Sequence, residues 1–181
     1  EYGPYAAKKY QIDPNSQYMV TGWPWGGSSL NWPLLKYSEV LLWKAEALIE
    51  LNQDLDVARQ LINDIRERAD NSPVVTEIGN DQPAANYQIG TYPASGWNQE
   101  YARRALRKER RLELALEGHR FYDLVRWDIA SSVLNQYFTE ETEERGYYSA
   151  ANFVENKHEY LPVPQEEIDR SQGVYQQNPN Y

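Results

Sequence analysis

Cysteine is absent from this 181-residue chain, which also has only two histidines and one methionine. The lack of cysteine excludes disulfide scaffolds and cysteine-based metal sites, and it says little about the compartment. Positive charge is scarce: 18 Lys and Arg stand against 27 Asp and Glu, for a net charge of −9. Because phosphate contacts need clustered Lys and Arg, we expect neither a nucleic-acid partner nor docking on an anionic membrane surface.

Long apolar runs are also missing. No segment approaches the roughly 20 apolar residues of a membrane span, and no signal peptide is visible. The chain opens at Glu1 without an initiator methionine, so we expect a processed or truncated piece of a longer protein. Its length and its 41% apolar content are sufficient for one folded domain with a substantial core.

Amphipathic aromatic rings are abundant, with six Trp and fifteen Tyr against three Phe. Trp and Tyr combine an apolar face with a polar tip, which suits surfaces that bind a ligand while staying hydrated. The alternative is that these rings fasten irregular loops to the core. Both interpretations stay open for each ring.

Two helices are predicted after a loop-rich lead-in at residues 1–31, which we assign to the same domain as the rest. The first begins at Pro33 with Asn31 as its cap, and the second follows Asp54 as its cap. Their short connection predicts an antiparallel hairpin that resembles a tetratricopeptide pair. The two apolar stripes are Leu34, Leu35, Leu41, Leu42, Ala45, Leu48 and Ile49, then Leu55, Ala58, Leu61, Ile62, Ile65 and Ala69.

An aperiodic segment runs from Asp70 to about Trp97, and a segment of this length is usually functional or mobile. A third helix is predicted after Asn98, with a break at Gly118 and a fourth helix beyond it. The inward-facing residues are Tyr101, Ala105, Leu106, Leu112, Ala115 and Leu116, then Phe121, Leu124, Trp127, Leu134 and Phe138. QEEID near the end predicts one further helical turn. We therefore predict a mainly α fold of tetratricopeptide-like helix pairs with long irregular loops.

Three blocks of sequence are distinctive: LLKYSEVLLWKAEALIEL with INDIRERA behind it, LRKERRLELALEGHRFYDLVRW, and YLPVPQEEIDRSQGVYQQNPNY. In this order they resemble the SusD/RagB family. The middle block is the most specific, and its matching residues are Glu109, Arg110, Arg111, Glu113, Leu114, Glu117, Gly118, His119, Arg120, Asp123, Leu124, Arg126 and Trp127. The family typically has Phe at Leu116 and Gly at Asn180. The resemblance covers about Trp32 to Tyr181, so we predict a SusD/RagB-like C-terminal helical domain at 32–181.

This resemblance implies a much longer helical lipoprotein on the outer face of the outer membrane of Bacteroidota. It implies a non-catalytic role in which an oligosaccharide is captured and passed to a SusC-like TonB-dependent transporter. The implied partners are thus the glycan and the transporter. Membrane contact is expected only through an N-terminal lipid anchor that this chain lacks. The alternative is a peptide-binding or transporter-docking scaffold of the same surface complex.

The middle block also carries acids that invite a glycosidase interpretation. Glu113 and Glu117 lie four residues apart on one predicted helix face, and His119 follows. Glycosidase carboxylates flank the sugar from opposed sides, about 5–10 Å apart, whereas these two point the same way. We therefore predict an ion-paired helix face with the neighbouring arginines and no catalytic residues.

No cofactor and no metal site is predicted. Nucleotide-binding and Ser-hydrolase motifs are absent, and His119 and His158 do not stand at metal-ligand spacing. Oxygen ligands for Ca²⁺ are offered by Asp13, Asn15 and Ser16, and by Glu140, Glu141, Glu143 and Glu144. Loop capping and a hydrated acidic surface are the favoured interpretations of these groups.

The predicted glycan-binding residues are aromatic rings placed in loops. A sugar has a CH face and hydroxyl edges, so it needs a flat ring with polar groups at the rim. Trp43 and Trp127 lie on predicted helices and Trp32 abuts a helix start, so they are assigned to packing. The remaining candidates are Trp23 and Trp25 in the lead-in and Tyr87, Tyr92 and Trp97 in the aperiodic segment. Asn86, Gln88 and Asn98 are the expected rim groups.

Overall fold

The computed structural model describes residues 9–10, 12, 15–20, 27–31, 33–77 and 79–181. Within these ranges the secondary structure is helical, and no residue lies in an extended strand. The helices are α1 Tyr37–Glu50, α2 Leu55–Asp70, α3 Gln99–Glu113, α4 His119–Arg126, α5 Ala130–Thr142 and α6 Gln165–Arg170, with a 3₁₀ helix at Gly146–Ala150. The predicted mainly α class is confirmed.

The chain divides into two compact units, residues 1–116 and 117–181. The first holds α1, α2 and α3, and the second holds the remaining helices. Gly118 lies just beyond the division with φ 84°, a left-handed conformation that costs glycine little. The predicted break at Gly118 is confirmed, while the predicted boundary at 31/32 stays a prediction.

The core of the first unit lies between three helices. The connection from α1 to α2 spans only residues 51–54, and α3 packs against both helices. The buried apolar residues are Leu42, Ala45, Ile49, Ala58, Ile62, Ile65, Ala102 and Leu106. Both stripes predicted for the hairpin contribute, and α3 supplies the cover that a lone helix pair requires.

The predicted start of the first helix was wrong. Helix α1 begins at Tyr37, and Lys36 before it is extended, with φ −120° and ψ 134°. Leu34 and Leu35 are 88% and 78% exposed, so they lie outside the apolar stripe. Ordering a helical turn costs conformational entropy, and apolar spacing does not offset this cost unless the apolar side chains are buried.

Two predicted helix caps have different outcomes. The Asn98 side chain accepts a hydrogen bond from the Tyr101 N–H at 3.0 Å, which confirms it as the cap of α3. Asp54 does precede α2, but its side chain makes no capping hydrogen bond and its φ of 43° is left-handed. The short connection between α1 and α2 forces this conformation, which Asp tolerates better than most residues.

The third helix is shorter than predicted, because it ends at Glu113. Leu112, Ala115 and Leu116 are exposed, which contradicts their assigned inward positions, and Leu114 is buried instead. The Lys9 ammonium donates to the carbonyl oxygens of Glu113 and Ala115 at 2.8 and 3.1 Å. A cation at a helix C-terminus satisfies carbonyls that have no partner in the helix.

The second unit contains two helices, α4 and α5, where the periodicity predicted a single helix. The chain leaves α4 at Trp127 and re-enters α5 at Ala130, with Asp128 left-handed at φ 55°. The core contains Leu124, Ala130 and Phe153, with Val125, Ile129, Val133, Leu134 and Phe138 around it. Phe121 was predicted to point inward; it meets the edge of the core residue Phe153 but remains 36% exposed.

Asn135 of α5 fixes the irregular chain near Phe153. Its Oδ1 accepts from the Phe153 N–H at 2.7 Å, and its Nδ2 donates to the Phe153 carbonyl at 3.0 Å. Gln177 does the same for Val163, at 2.7 and 2.9 Å. The predicted helical turn at QEEID is α6. No helix in the described part of the chain is both long and apolar enough to cross a membrane.

Removal of the Glu109 carboxylate should destabilise the first unit. Its Oε2 lies 2.8 Å from the Arg66 Nη1, and the Glu109 and Arg66 side chains are only 6% and 13% exposed. Removing one partner of a buried pair leaves an unneutralised charge and costs about 3–5 kcal/mol. We expect Glu109→Ala to lower the free energy of unfolding by about 3 kcal/mol, the low end of this range, because Arg66 keeps the Gly90 carbonyl as a partner. Urea denaturation measures the loss.

Glu100→Ala is the matched control. Glu100 pairs with Arg104 on the same helix, but both side chains are exposed, and such pairs contribute about 0–1 kcal/mol. Equal losses of stability in the two variants would contradict the architectural role of Glu109.

Candidate functional site

Two of the predicted ligand-binding rings lie together in the first unit. The centroids of Tyr92 and Trp97 are 5.8 Å apart. Tyr101 of α3 completes the cluster, 5.9 Å from Tyr92 in an edge-on arrangement and 5.2 Å from Trp97. Tyr92 and Trp97 pack against the core and stay partly exposed. The rings therefore form a rigid, half-buried aromatic cluster at the end of the aperiodic segment.

A buried asparagine fastens this cluster to α2. Asn63 donates from Nδ2 to the Tyr92 carbonyl at 3.0 Å and accepts from the Tyr92 N–H at 2.8 Å. Arg59 also donates to the Tyr92 carbonyl, at 3.3 Å. The Trp97 Nε1–H donates to the Leu55 carbonyl at 2.9 Å. Both backbone groups of Tyr92 are thus satisfied without a strand partner.

Arg66 covers the other side of the Tyr92 ring. Its guanidinium carbon lies 5.0 Å from the ring centroid, and its Nε donates to the Gly90 carbonyl. Burial raises the pKa of the Tyr92 hydroxyl above its ordinary value, and the Arg66 charge partly offsets the rise. The phenol is therefore neutral at physiological pH and retains both a donor and an acceptor function.

Tyr87 lies apart from this cluster. It is 42% exposed, and its hydroxyl is 3.5 Å from the Val75 carbonyl, beside the isolated bridge between Thr76 and Pro83. Of the expected rim groups, Asn98 is occupied as a helix cap and donates from Nδ2 to the Gly96 carbonyl at 3.2 Å. Asn86 and Gln88 are exposed. Trp23 and Trp25 lie outside the described residues.

A second aromatic cluster, which the sequence analysis did not select, lies in the second unit. Phe138, Tyr147 and Tyr148 form a stack, with Tyr137 edge-on to Phe138 and Tyr148. The Tyr-rich composition after the acidic run was a signal for it. However, periodicity gave no reason to expect the 3₁₀ helix that brings Tyr147 and Tyr148 against α5.

The charged block around α3 is a structural network in the first unit. Glu109 pairs with Arg66, and Glu113 pairs with Arg68 at 2.6 Å and Lys36 at 3.8 Å. A third charged residue of α3, Arg110, lies 3.7 Å from Glu39 of α1 with both side chains buried. The prediction of an ion-paired face that locks this helix against its neighbours is confirmed.

The predicted placement of Glu113 and Glu117 on one helix face was wrong. Helix α3 ends at Glu113, and Glu117 follows in an irregular turn within the second unit. His119 is the first residue of α4, a helix-end position as predicted. The His158 Nδ1 accepts from the Val154 N–H at 2.9 Å. Across the described ranges, no three His, Cys, Asp or Glu side chains gather into a group able to hold a metal ion.

The acidic run of α5 is engaged with its own helix. Glu141 forms an ion pair with Arg145, and Glu140 accepts from Gln136 at 2.8 Å. Asn15 and Ser16 lie in a turn of the lead-in, and Asp13 falls outside the described residues.

Two cavities are distinct from the predicted rings. One of about 330 Å³ in the first unit is largely apolar and is lined by Lys36, Tyr37, Ser38, Leu41, Asp64, Ile65 and Arg68. The other, about 270 Å³ in the second unit, is lined by Val125, Asp128, Ala130, Ser131, Ser132, Asn135, Glu155 and Glu159. Neither of these two cavities is lined by Tyr87, Tyr92 or Trp97.

Comparison with known proteins identifies the architecture. The SusD family matches the chain over residues 1–181. The chain belongs to the SusD family. SusD-like proteins P2 and P25 of Formosa agariphila are 30% and 31% identical over 154 and 169 residues, which are 85% and 91% of this chain. The chain spans only about a quarter of these curated relatives, 26% of each.

Solved SusD-like structures confirm the tetratricopeptide-like helical fold. A SusD homolog from Bacteroides thetaiotaomicron has a TM-score of 0.62 and 32% identity, covering 85% of this chain and 28% of that one. Surface glycan-binding protein A from the same species has a TM-score of 0.53 and 28% identity, covering 86% and 26%. Asn180, which stands where the SusD family typically has Gly, has φ 66°. Asn tolerates this conformation, so the difference is conservative.

Loss of the Asn63 side chain should release the aromatic cluster from α2. We expect Asn63→Ala to accelerate hydrogen exchange of the Tyr92 amide by about thirtyfold, because one net hydrogen bond contributes roughly 1 kcal/mol and Asn63 makes two. Amide exchange followed by NMR measures the effect. Asn71→Ala is the control, since Asn71 is exposed and bonds only to the end of its own helix. An unchanged Tyr92 rate in Asn63→Ala would contradict the fastening role.

Proposed function

We propose that this SusD-family protein binds oligosaccharide or polysaccharide at the cell surface without altering it chemically. The observation that carries the proposal is the rigid ring cluster of Tyr92, Trp97 and Tyr101 on a surface rather than in a deep cavity. Pre-ordered rings accept the CH face of a sugar at low entropic cost. The SusD family and the similar surface glycan-binding protein A support the same role.

The proposed binding residues are Trp23, Trp25, Tyr87, Tyr92 and Trp97, as selected from the sequence. Tyr87 has the most accessible ring among the described members. Tyr92 and Trp97 offer only their outward faces and edges, because their other surfaces pack on the core. Recognition through few, shallow contacts gives weak affinity, which suits a protein that must release its ligand.

The proposed absence of catalysis is supported by the ion pairs that the glutamates of α3 form. Glu109 and Glu113 are neutralised by Arg66, Arg68 and Lys36, and they serve to join helices. A glycosidase instead needs two carboxylates that face a common sugar. We propose further that delivery runs to a SusC-like TonB-dependent transporter, with a lipid anchor on the longer protein at the outer membrane.

A docking scaffold is the second candidate, favoured by the exposed face of α1. Tyr37, Val40 and Trp43 follow one another at helical spacing and are exposed, as is the preceding Leu34–Leu35 pair. Exposed apolar patches of this kind mark protein contacts. A transporter or a peptide would therefore contact the protein here, away from the ring cluster.

The first role is tested by glycan retention. We expect the protein to bind members of a glycan array, and Trp23→Ala, Trp25→Ala and Tyr87→Ala to weaken that binding by about fivefold each, the equivalent of roughly 1 kcal/mol for one stacked ring. Reducing ends should not increase during incubation with a bound polysaccharide.

Trp43→Ala separates the two candidates. The sequence-based assignment of this residue to packing was wrong, because Trp43 is 47% exposed on α1. Its loss should therefore leave glycan retention unchanged but weaken co-purification with a transporter if the scaffold role holds. Absence of binding to every glycan on the array, or release of reducing ends, would contradict the proposed function.

A further inference from the structure

Four aromatic rings of the second unit extend from its core to the solvent. Phe138 of α5 packs against the core residues, and the Tyr148 ring stacks on it with centroids 5.8 Å apart and planes 16° apart. Tyr147 lies 4.6 Å from Tyr148. Tyr137 meets Phe138 and Tyr148 edge-on at 6.0 and 5.8 Å. The outer rings, Tyr147 and Tyr137, are 71% and 40% exposed.

This stack is held in place before any ligand arrives. The 3₁₀ helix that carries Tyr147 and Tyr148 packs on α5, which carries Tyr137 and Phe138. Partial desolvation and the adjacent Tyr148 side chain raise the pKa of the Tyr147 phenol, so it remains neutral. A fixed ring with only two side-chain torsions gives contact area at little entropic cost.

A carboxylate and a guanidinium border the outer rings. Glu141 and Arg145 form an ion pair one helical turn apart, and both are partly exposed. Tyr137 and Glu141 lie four residues apart on α5, and residues at this spacing share a helix face. Arg145 directly precedes the 3₁₀ helix that carries Tyr147 and packs on α5. Vicinal sugar hydroxyls both donate and accept hydrogen bonds. A carboxylate can accept from them, and an adjacent guanidinium can donate to them.

Charge limits the ligand class. The net charge of −9 opposes polyanions, and Arg145 is already neutralised by Glu141. A neutral pyranose, with an apolar CH face and hydroxyl edges, matches the rings and the ion pair together.

We propose that Tyr137, Tyr147, Glu141 and Arg145 form a second carbohydrate-binding surface, in the second unit, which takes neutral pyranose units of a polysaccharide. Tyr147 stacks on the CH face of one sugar, Tyr137 contacts the next unit or the same unit from its edge, and the Glu141–Arg145 pair binds hydroxyls. This inference rests on the proposed glycan-binding function and adds a site to it. Two weak sites on one chain raise the avidity for a polymer.

Affinity electrophoresis of the protein tests the site. The neutral probes in the gel are laminarin, xyloglucan, galactomannan and starch, and alginate is the anionic probe. We expect retardation by a neutral probe, weakened about five- to tenfold in Tyr147→Ala and Tyr137→Ala. Tyr147→Phe keeps the ring and should stay within about twofold of the parent protein, whereas Glu141→Gln should lose about threefold through its hydroxyl contacts.

Tyr175→Ala is the matched control, because Tyr175 is an exposed tyrosine of the same unit beyond α6. Its retardation should equal that of the parent, and an unchanged melting temperature in all variants shows that they fold. Retardation that is insensitive to Tyr147→Ala and Tyr137→Ala, or confined to alginate, overturns this site. If only the Tyr87 or Trp25 variants lose retardation, the proposed function stands and this site does not. A parent retarded by no probe overturns this site, and the glycan array then decides the proposed function.

Discussion

The first unit depends on a largely buried guanidinium that joins three segments of chain. Arg66 extends from α2, pairs with Glu109 of α3, donates to the Gly90 carbonyl and lies over the Tyr92 ring. A buried charge is tolerated only with such partners. The same contacts that neutralise Arg66 therefore attach the aperiodic segment to the helices. The ion pairs of the charged block, which resembled a catalytic centre, thus help to hold the aromatic cluster in position.

The sequence predicted the helical framework well where one face of a helix is buried. The stripes of α1 and α2 and the Asn98 cap agree with the structure, because periodicity and capping are local properties that directly reflect burial. The errors lie at helix ends. Leu34, Leu112 and Leu116 follow apolar spacing but have no surface to pack on. The break at Asp128 depends on contacts between α5 and the distant Phe153, which a short window of sequence cannot register.

The candidate site was predictable by residue type more than by position. Tyr92 and Trp97 were selected because they lie in an aperiodic segment, but whether a loop ring faces solvent or core depends on non-local partners. Asn63 and the Leu55 carbonyl, both on α2, are such partners. Tyr147 was overlooked for the opposite reason. Its exposure results from a 3₁₀ turn against α5 that leaves no periodic trace in the sequence.

The structure separates two uses of aromatic rings that composition alone cannot distinguish. In the first unit, hydrogen bonds to α2 hold Tyr92 and Trp97 against the core, which covers part of each ring and leaves the rest exposed. In the second unit, Phe138 and Tyr148 take the supporting role, and Tyr147 is left with an open face. Stacking on a sugar requires a free face backed by a rigid neighbour. By this criterion the Tyr147 stack meets the physical requirements of glycan recognition more fully than the described rings of the first unit do.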